Sequence, residues 1–379
     1  MRTRFQRYLA VVGLGSAVAL LGACGSTPTP VAASSSTTGS FTTGSSTASN
    51  SSSSASAAAA TSTTEEPLDP SALVIYNAQH ENLTQAWADE FSRENGGVKV
   101  QLRNGSDLEM GNQIVAEGAD SPADVFITEN SPGMNLVEGA GLFDSVDPAT
   151  ISQIPSQYSP STGKWVGVAA RSTVFVYNTS KLTADQLPKS LLDLANPEWK
   201  GRWAASPSGA DFQAIVSALY ELKGADETEK WLTGMKANFT AYKGNTTVMK
   251  AVNAGEIEGG VIYHYYWYGD QAKTKENSAN TALHFFGNKD PGAFVSVSGA
   301  GVLASSTKKA LAQKFVKFIT SKAGQQIVAN TVLEYPLLDT TSTTNAALKP
   351  LSTLDAPDVD ESKLNSAEVS DLMTQVGLL

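Results

Sequence analysis
Leu73-Val74-Ile75-Tyr76, Val98-Lys99-Val100-Gln101-Leu102 and Ala123-Asp124-Val125-Phe126-Ile127 decide the fold, together with the two segments between them. The first is a short, apolar, β-branched run. Residues 81–93 follow, where Leu83, Trp87 and Phe91 recur every four residues, as on one face of a helix. The 98–102 run alternates like a half-buried strand. Residues 108–117 read as a helix and 123–127 as another strand. Strand, helix, strand, helix, strand is the βαβ pattern of a parallel sheet.

The middle of the chain repeats the theme. Arg202-Trp203-Ala204-Ala205 leads through Ser206-Pro207-Ser208-Gly209 into an amphipathic segment carrying Phe212, Ile215, Val216 and Leu219. Trp231, Leu232 and Met235 mark a second helix, and residues 259–263 read as a buried strand. Residues 294–303 look extended, and Leu311, Phe315, Phe318 and Ile319 mark a late helix. No repeat of fixed period is present. The pattern predicts two α/β lobes of similar size.

The amino-terminal region sets the cellular context. Arg2, Arg4 and Arg7 precede an apolar run from about Tyr8 to Leu21, too short for an ordinary spanning helix but suited to a secretory signal. The run ends in Leu21-Gly22-Ala23-Cys24, and Cys24 is the only cysteine of the chain. A single thiol in a secreted protein has no internal disulfide to make. Leu-Gly-Ala-Cys resembles the bacterial lipoprotein box, which implies lipidation at Cys24; a cleaved signal with an unrelated Cys is the plainer reading. Residues 26–64 consist of little but Ser, Thr, Ala and Gly, without a charge, and cannot bury enough apolar surface to fold. They are expected to form a flexible tether, and a folded body should begin near Leu73.

The net charge of −10 comes from 27 Lys and Arg against 37 Asp and Glu. It argues against nucleic acid and against a basic membrane-surface patch.

His264-Tyr265-Tyr266-Trp267-Tyr268 follows the apolar run Gly259-Gly260-Val261-Ile262. Each buried phenol must find a hydrogen-bond partner, so such density is costly for packing alone. Phenolates are compact anionic donors for hard cations and ligate ferric iron in some proteins. The alternative is an aromatic cluster in a core or on a ligand face. In open α/β sheets ligands sit beyond the carboxyl ends of strands. Three such ends carry donors here: His80 after the 73–76 strand, Glu129 after 125–127, and Tyr265 and Tyr266 after 259–262. Singly, His80 and Glu129 read as capping or surface residues. Together one carboxylate and two phenolates supply −3, with a neutral imidazole as fourth donor, and that sum matches Fe³⁺. Zinc and copper sites more often use several His or Cys, and this chain has 3 His and 1 Cys.

The chain resembles the ferric-iron-binding proteins of bacterial ABC importers, within the periplasmic-binding-protein family. The matching stretches are Tyr76-Asn77-Ala78-Gln79-His80, Pro122 to Phe126 with Glu129, Ser208-Gly209-Ala210, Asn245, Tyr265-Tyr266-Trp267-Tyr268, Asp290-Pro291-Gly292-Ala293 and Glu334-Tyr335-Pro336-Leu337. They run in one order from about Leu73 to the carboxyl terminus. The resemblance implies a type II, two-lobed α/β fold with a ligand cleft. It implies one lobe from 72–172 and 296–346 and the other from 173–295 and 347–379, after a signal over 1–24 and a tether over 25–71. Crossing hinge strands would lie near 171–177 and 294–298.

By the same resemblance His80 and Glu129 bind the metal from the first lobe and Tyr265 and Tyr266 from the second. Ser208, Gly209, Ala210 and Asn245 would seat a synergistic anion, phosphate or carbonate, at a helix start; Ser208 also reads simply as a helix N-cap. For adjacent phenols to reach one ion the chain must leave strand geometry at Tyr265, and Gly269 is compatible with a turn there. Tyr263 stands where the best-known members carry Asn, and His264 is expected in a supporting or surface place rather than as a ligand. The implied protein is a monomeric, lipid-anchored, extracytoplasmic binding protein that delivers ferric iron to a permease and its ATPase. Two other readings remain at this point: the same fold binding an anion, polyamine or thiamine-like cation, and a secreted hydrolase using Glu129 or His80 as base. No nucleophile elbow or His-Glu-x-x-His pattern accompanies the latter.

Overall fold
The computed structural model describes residues 67–338, 347–364 and 366–379. The signal segment, Cys24 and the tether up to residue 66 lie outside the described residues. The chain begins with β1 (Leu73–Asn77), α1 (Glu81–Glu94), β2 (Val100–Asn104), α2 (Asp107–Glu117), β3 (Val125–Ile127), α3 (Ser131–Gly139), α4 (Pro148–Ile151) and β4 (Val166–Asn178). It continues with β5 (Trp203–Ala205), α5 (Ala210–Lys223), α6 (Ala225–Asn238), β6 (Phe239–Ala241), α7 (Asn245–Ala254), β7 (Gly259–Tyr263), α8 (His264–Ala272) and β8 (Thr281–His284). Then come β9 (Val295–Val302), α9 (Lys309–Ile319), α10 (Lys322–Thr331) and α11 (Ser366–Gln375).

The strands run in the order β2-β1-β3-β9-β4-β7-β5-β6, with β8 also on β4. β1 pairs in parallel with β2 and β3, as the βαβ reading requires. β9 lies antiparallel to both β3 and β4. β4 is long, and it changes partners midway. Val166 to Ser172 pair with β9, whereas Thr173 to Tyr177 pair with β7 and Phe175 to Asn178 with β8. One continuous strand thus runs through both lobes, and its pairing passes from β9 to β7 between Ser172 and Thr173. Within the 171–177 segment, Thr173 to Tyr177 pair with β7.

Each lobe has apolar layers on both sheet faces, the arrangement that parallel strands require. α1, α9 and α10 cover one face of the first lobe through Trp87, Phe91, Phe315, Ile319 and Val328. Met110, Ile114, Met134 and Val137 from α2 and α3 cover the other. In the second lobe Phe212, Leu219, Trp231 and Met235 of α5 and α6 face one side, joined by Val369 and Met373 of α11. Val248 and Val252 of α7 cover the opposite side. The pair Gly259-Gly260 in β7 has a packing cause: a Cβ on Gly259 would stand 2.2 Å from the Phe175 ring, and one on Gly260 2.4 Å from Val248.

Several boundaries differ from the sequence reading. β2 starts at Val100 rather than Val98. Residues 67–71, read as the end of the tether, are held against β2: the Asp69 N–H donates to Gln101 Oε1 at 2.8 Å, and Lys99 pairs with the Asp69 carboxylate at 2.8 Å. Gly269 is not at a turn but inside α8.

Candidate metal centre
Six helices begin at the cleft. The N-cap residues are His80 for α1, Ser106 for α2, Asn130 for α3, Gly209 for α5, Gly244 for α7 and Tyr263 for α8. Free N–H groups and the positive end of each helix dipole favour anionic side chains there. This follows from the βα order, because strand carboxyl ends and helix amino ends share one edge.

On the first lobe, β1 runs out through Asn77-Ala78-Gln79 to His80. Asn77 locks this turn: its amide donates to the Gln79 carbonyl and to Asn104 Oδ1, both at 2.8 Å, and its oxygen accepts from the Gln79 N–H. β3 ends one residue before Thr128, and Glu129 and Asn130 follow. Their N–H groups donate to the buried Asp107 carboxylate at 2.7 and 3.1 Å. Burial and the nearby Glu129 charge push Asp107 up to about 8. His80 Nδ1 stands 3.4 Å from Glu129 Oε1, while Nε2 stands 2.9 Å from Glu334 Oε1.

On the second lobe, β7 stops at Tyr263 and α8 starts at once. Helical rather than extended geometry brings Tyr265 and Tyr266 to one side, with ring centroids 4.2 Å apart. Strand geometry is thus abandoned at His264, one residue earlier than expected. Both phenols donate to Asp211 Oδ2, Tyr266 at 3.1 Å and Tyr265 at 3.5 Å. The Tyr265 ring also meets His80 across the lobes, edge to face, at 5.0 Å. All four residues singled out as metal donors, His80, Glu129, Tyr265 and Tyr266, therefore meet. Among the described residues no three or more His, Cys, Asp or Glu side chains are by themselves arranged to hold a metal ion.

Three residues join them that sequence reasoning gave no such role. Asp211 lies in the first turn of α5, where an acidic residue is an ordinary response to the helix dipole and gave no separate signal. Its Oδ2 accepts from the Asn245 amide at 2.8 Å, and its Oδ1 from Asn130 at 3.1 Å. Arg171, read only as part of a hinge, is fully buried on β4. It stands 2.7 Å from Glu334, 3.0 Å from Glu129 and 3.7 Å from Asp211, and 5.3 Å over the Tyr265 ring. Burial alone would lower its pKa, but Glu334 and Glu129 hold it well above the ordinary value. Glu334, quoted before only within a matching stretch, is held at about 2: burial would raise it, and Arg171 and His80 outweigh that.

The residues marked for an anion lie at the same place with different local roles. Gly209, not Ser208, caps α5, and Ala210 is its first helical residue. Ser208 is exposed. Asn245 opens α7 but its amide is engaged by Asp211. Tyr263 is buried, with its hydroxyl 3.3 Å from the Asp211 carbonyl and 3.4 Å from Asn130 Oδ1. His264 is not at the surface. It is fully buried, its Nδ1 accepts from the Ser172 N–H at 3.1 Å, and its ring stacks on Tyr335 at 4.4 Å. Burial pushes it down to about 3, so it is neutral.

Protonation of the cluster is set by its burial. Tyr265 and Tyr266 are both raised above the ordinary phenol range, first by burial and then by the Asp211 charge. Glu129 is raised by burial, with Arg171 opposing. The site can thus take a hard, highly charged cation in exchange for protons.

The profile of bacterial extracellular solute-binding proteins matches residues 120–364. The chain is 62% identical to the Fe(3+)-binding periplasmic protein of Serratia marcescens over 308 residues, 81% of this chain and 90% of that one. Its fold superposes on iron-bound HitA from Pseudomonas aeruginosa with a TM-score of 0.75 at 40% identity, covering 81% of this chain and 99% of the other. Trichodesmium FutA in complex with iron and citrate gives 0.72 at 28% identity, with coverage of 81% and 99%. The two-lobed architecture is that of the type II periplasmic binding proteins, and the chain belongs to the bacterial extracellular solute-binding protein family, among its ferric-iron-binding members.

Proposed function
We propose that the protein captures one ferric ion between its lobes outside the cytoplasm and delivers it to an ABC permease with its ATPase. His80 and Glu129 are the ligands from the first lobe and Tyr265 and Tyr266 those from the second. The observation that carries the reading is that these donors, distant in sequence, converge with Asp211 and Arg171 on one buried point. Asp211 acts as a fifth donor. Glu129, Asp211 and two phenolates supply four negative charges, while the guanidinium of Arg171 is offset by the ionised Glu334 2.7 Å away, so the donors cancel Fe³⁺ with one negative charge in excess. Both the Serratia relative and the Pseudomonas structure carry iron in their names, which supports the same cargo here.

A synergistic anion completes the coordination from the seat formed by Ser208, Gly209, Ala210 and Asn245. The citrate in the Trichodesmium complex supports such an anion. Asp211 already supplies a carboxylate on Asn245, so the anion adds less here than it would to a site lacking that side chain. Closure about β4 and β9 brings the lobes onto the ion, with 72–172 and 296–346 on one side and 173–295 and 347–379 on the other. The protein acts as a binding protein rather than an enzyme, as a monomer. Cys24 anchors it by lipid to the outer face of the cytoplasmic membrane; no described helix is long and apolar enough to cross one.

The test is a titration of the protein with ferric citrate, following the visible phenolate-to-iron absorption. One equivalent should produce a coloured complex. Equal iron binding by the wild type and the Tyr265→Phe/Tyr266→Phe variant would sink the assignment.

A further inference from the structure
Glu334 is the least expected member of this cluster. It lies outside β1, β3 and the aromatic helix, on the segment after α10, and its side chain is wholly buried. Three donors hold it, two from the turn after β1 and one from β4. The His80 Nε2–H donates to Oε1 at 2.9 Å. Arg171 Nη2 donates to the same oxygen at 2.7 Å, and Gln79 Nε2 to Oε2 at 3.2 Å. The next residue, Tyr335, bridges Ala170 of β4 by two backbone hydrogen bonds of 2.8 and 2.9 Å, so the carboxylate cannot drift.

A neutral imidazole carries its proton on one nitrogen only. In the neutral form that binds metal, a carboxylate at Nε2 holds the remaining proton there and leaves the Nδ1 lone pair free. Without metal, burial would lower His80, but Glu334 and Glu129 raise it above the ordinary imidazole range. Nδ1 is the atom aimed at Glu129 Oε1, 3.4 Å away. Donors sharing one octahedral ion at bond lengths of about 2.1 Å stand about 3 Å apart, so Nδ1 and Oε1 are near that separation. Metal-bound histidines commonly give their other N–H to a carboxylate, which fixes the ring and raises its basicity.

Resting on the ferric reading above, we propose that Glu334 is a positioning residue for the ion: it fixes His80 as the Nε2–H tautomer and so selects Nδ1 as the metal-binding atom. Arg171 and Gln79 hold the carboxylate in turn. The lobe that contributes Glu129 therefore offers a preset pair of donors, and His80 does not have to reorient when the ion arrives.

Two measurements test this. In wild-type protein loaded with diamagnetic Ga³⁺, long-range ¹H–¹⁵N correlation should find Nε2 protonated and Nδ1 metal-bound for His80. Metal at Nε2 would overturn the proposal without touching the ferric reading, whereas failure of the wild type to take up Fe³⁺ or Ga³⁺ would remove both. The second is a double-mutant cycle on the Fe³⁺ dissociation constant. Glu334→Gln should weaken iron binding ~10–100-fold when His80 is present and have no further effect in His80→Ala. An equal loss in both backgrounds would mean that Glu334 serves the fold and not the histidine. Should Glu334→Gln fail to fold, the Ga³⁺ measurement still decides.

Discussion

The side-chain amide of Asn245 donates to Oδ2 of Asp211 at 2.8 Å, so a group suited to grip an external anion already holds a carboxylate of the chain. Asp211 reaches it from the first turn of α5, which opens at Ala210 beside the proposed anion seat. An internal carboxylate bound by a helix amino terminus and an amide has the charge and donors of a bound anion.

Asp211→Ala should therefore lower iron affinity in anion-free buffer by more than the ~10–100-fold typical of a supporting residue. Citrate, carbonate or phosphate should restore part of it, and should shift the absorption band further in the variant than in the wild type. Titrations in each anion check this. If the variant shows no greater anion response than the wild type, the carboxylate does not occupy the seat.

Tyr266→Phe should abolish most of the colour and affinity, because it deletes a phenolate in the cluster. Tyr268→Phe should leave both within a few-fold of wild type. The Tyr268 hydroxyl donates to the Ala347 carbonyl at 3.1 Å. Visible spectra of the two single variants at matched iron loading separate these outcomes.

Iron retention should weaken steeply with acid. Without iron, burial and Asp211 hold Tyr265 and Tyr266 protonated well beyond neutral pH. Each phenol must lose its proton on binding, so protons compete with the ion, with up to about two logarithmic units of affinity per pH unit from the pair. Chelator competition between about pH 8 and 5 measures the slope, and a flat profile would exclude phenolate ligation.

His264 and Glu334 should each contribute a loss of stability on acidification of the iron-free protein, against gains from Asp107 and Glu361, which burial pushes up to about 8. His264 is neutral in the fold down to about 3, whereas an unfolded histidine titrates near 6.5. Between those values the unfolded chain binds more protons, so stability present above about pH 6.5 is lost as pH falls. Glu334, held at about 2 by Arg171 and His80 against its burial, adds a second loss below about pH 4.5. His264→Phe should flatten the upper part of the Tm profile. It should also cost ~1–3 kcal/mol, because the buried Ser172 N–H loses its acceptor.

The parallel strands were legible because buried β-branched runs alternate with helical periodicity, and β7 matches the 259–263 reading at both ends. That His80, Glu129 and the tyrosine pair converge was legible from their places at strand ends. That Asp211 joins them was not, since an acid in a first helical turn carries no mark of it. Arg171 and Glu334 were hidden for another reason. Their meaning lies in one ion pair between residues 163 positions apart, which no local pattern encodes. Gly269 misled because glycine is tolerated inside a helix, and the departure from strand geometry needed only the start of α8.

The pairing of β9 with β3 and β4 governs the order in which this site can come into being. Gln79 meets Glu334 across 255 positions, Ser131 meets the Val297 carbonyl across 166, and Tyr266 meets Asp211 across 55. The first lobe cannot finish its sheet until the intervening second-lobe segment, residues 173–294, has been made, and such non-local closure slows folding. A partly folded chain holds phenols and carboxylates too far apart to share an ion. Iron can therefore add its binding energy only to the completed fold, lengthening the life of finished molecules without rescuing stalled ones.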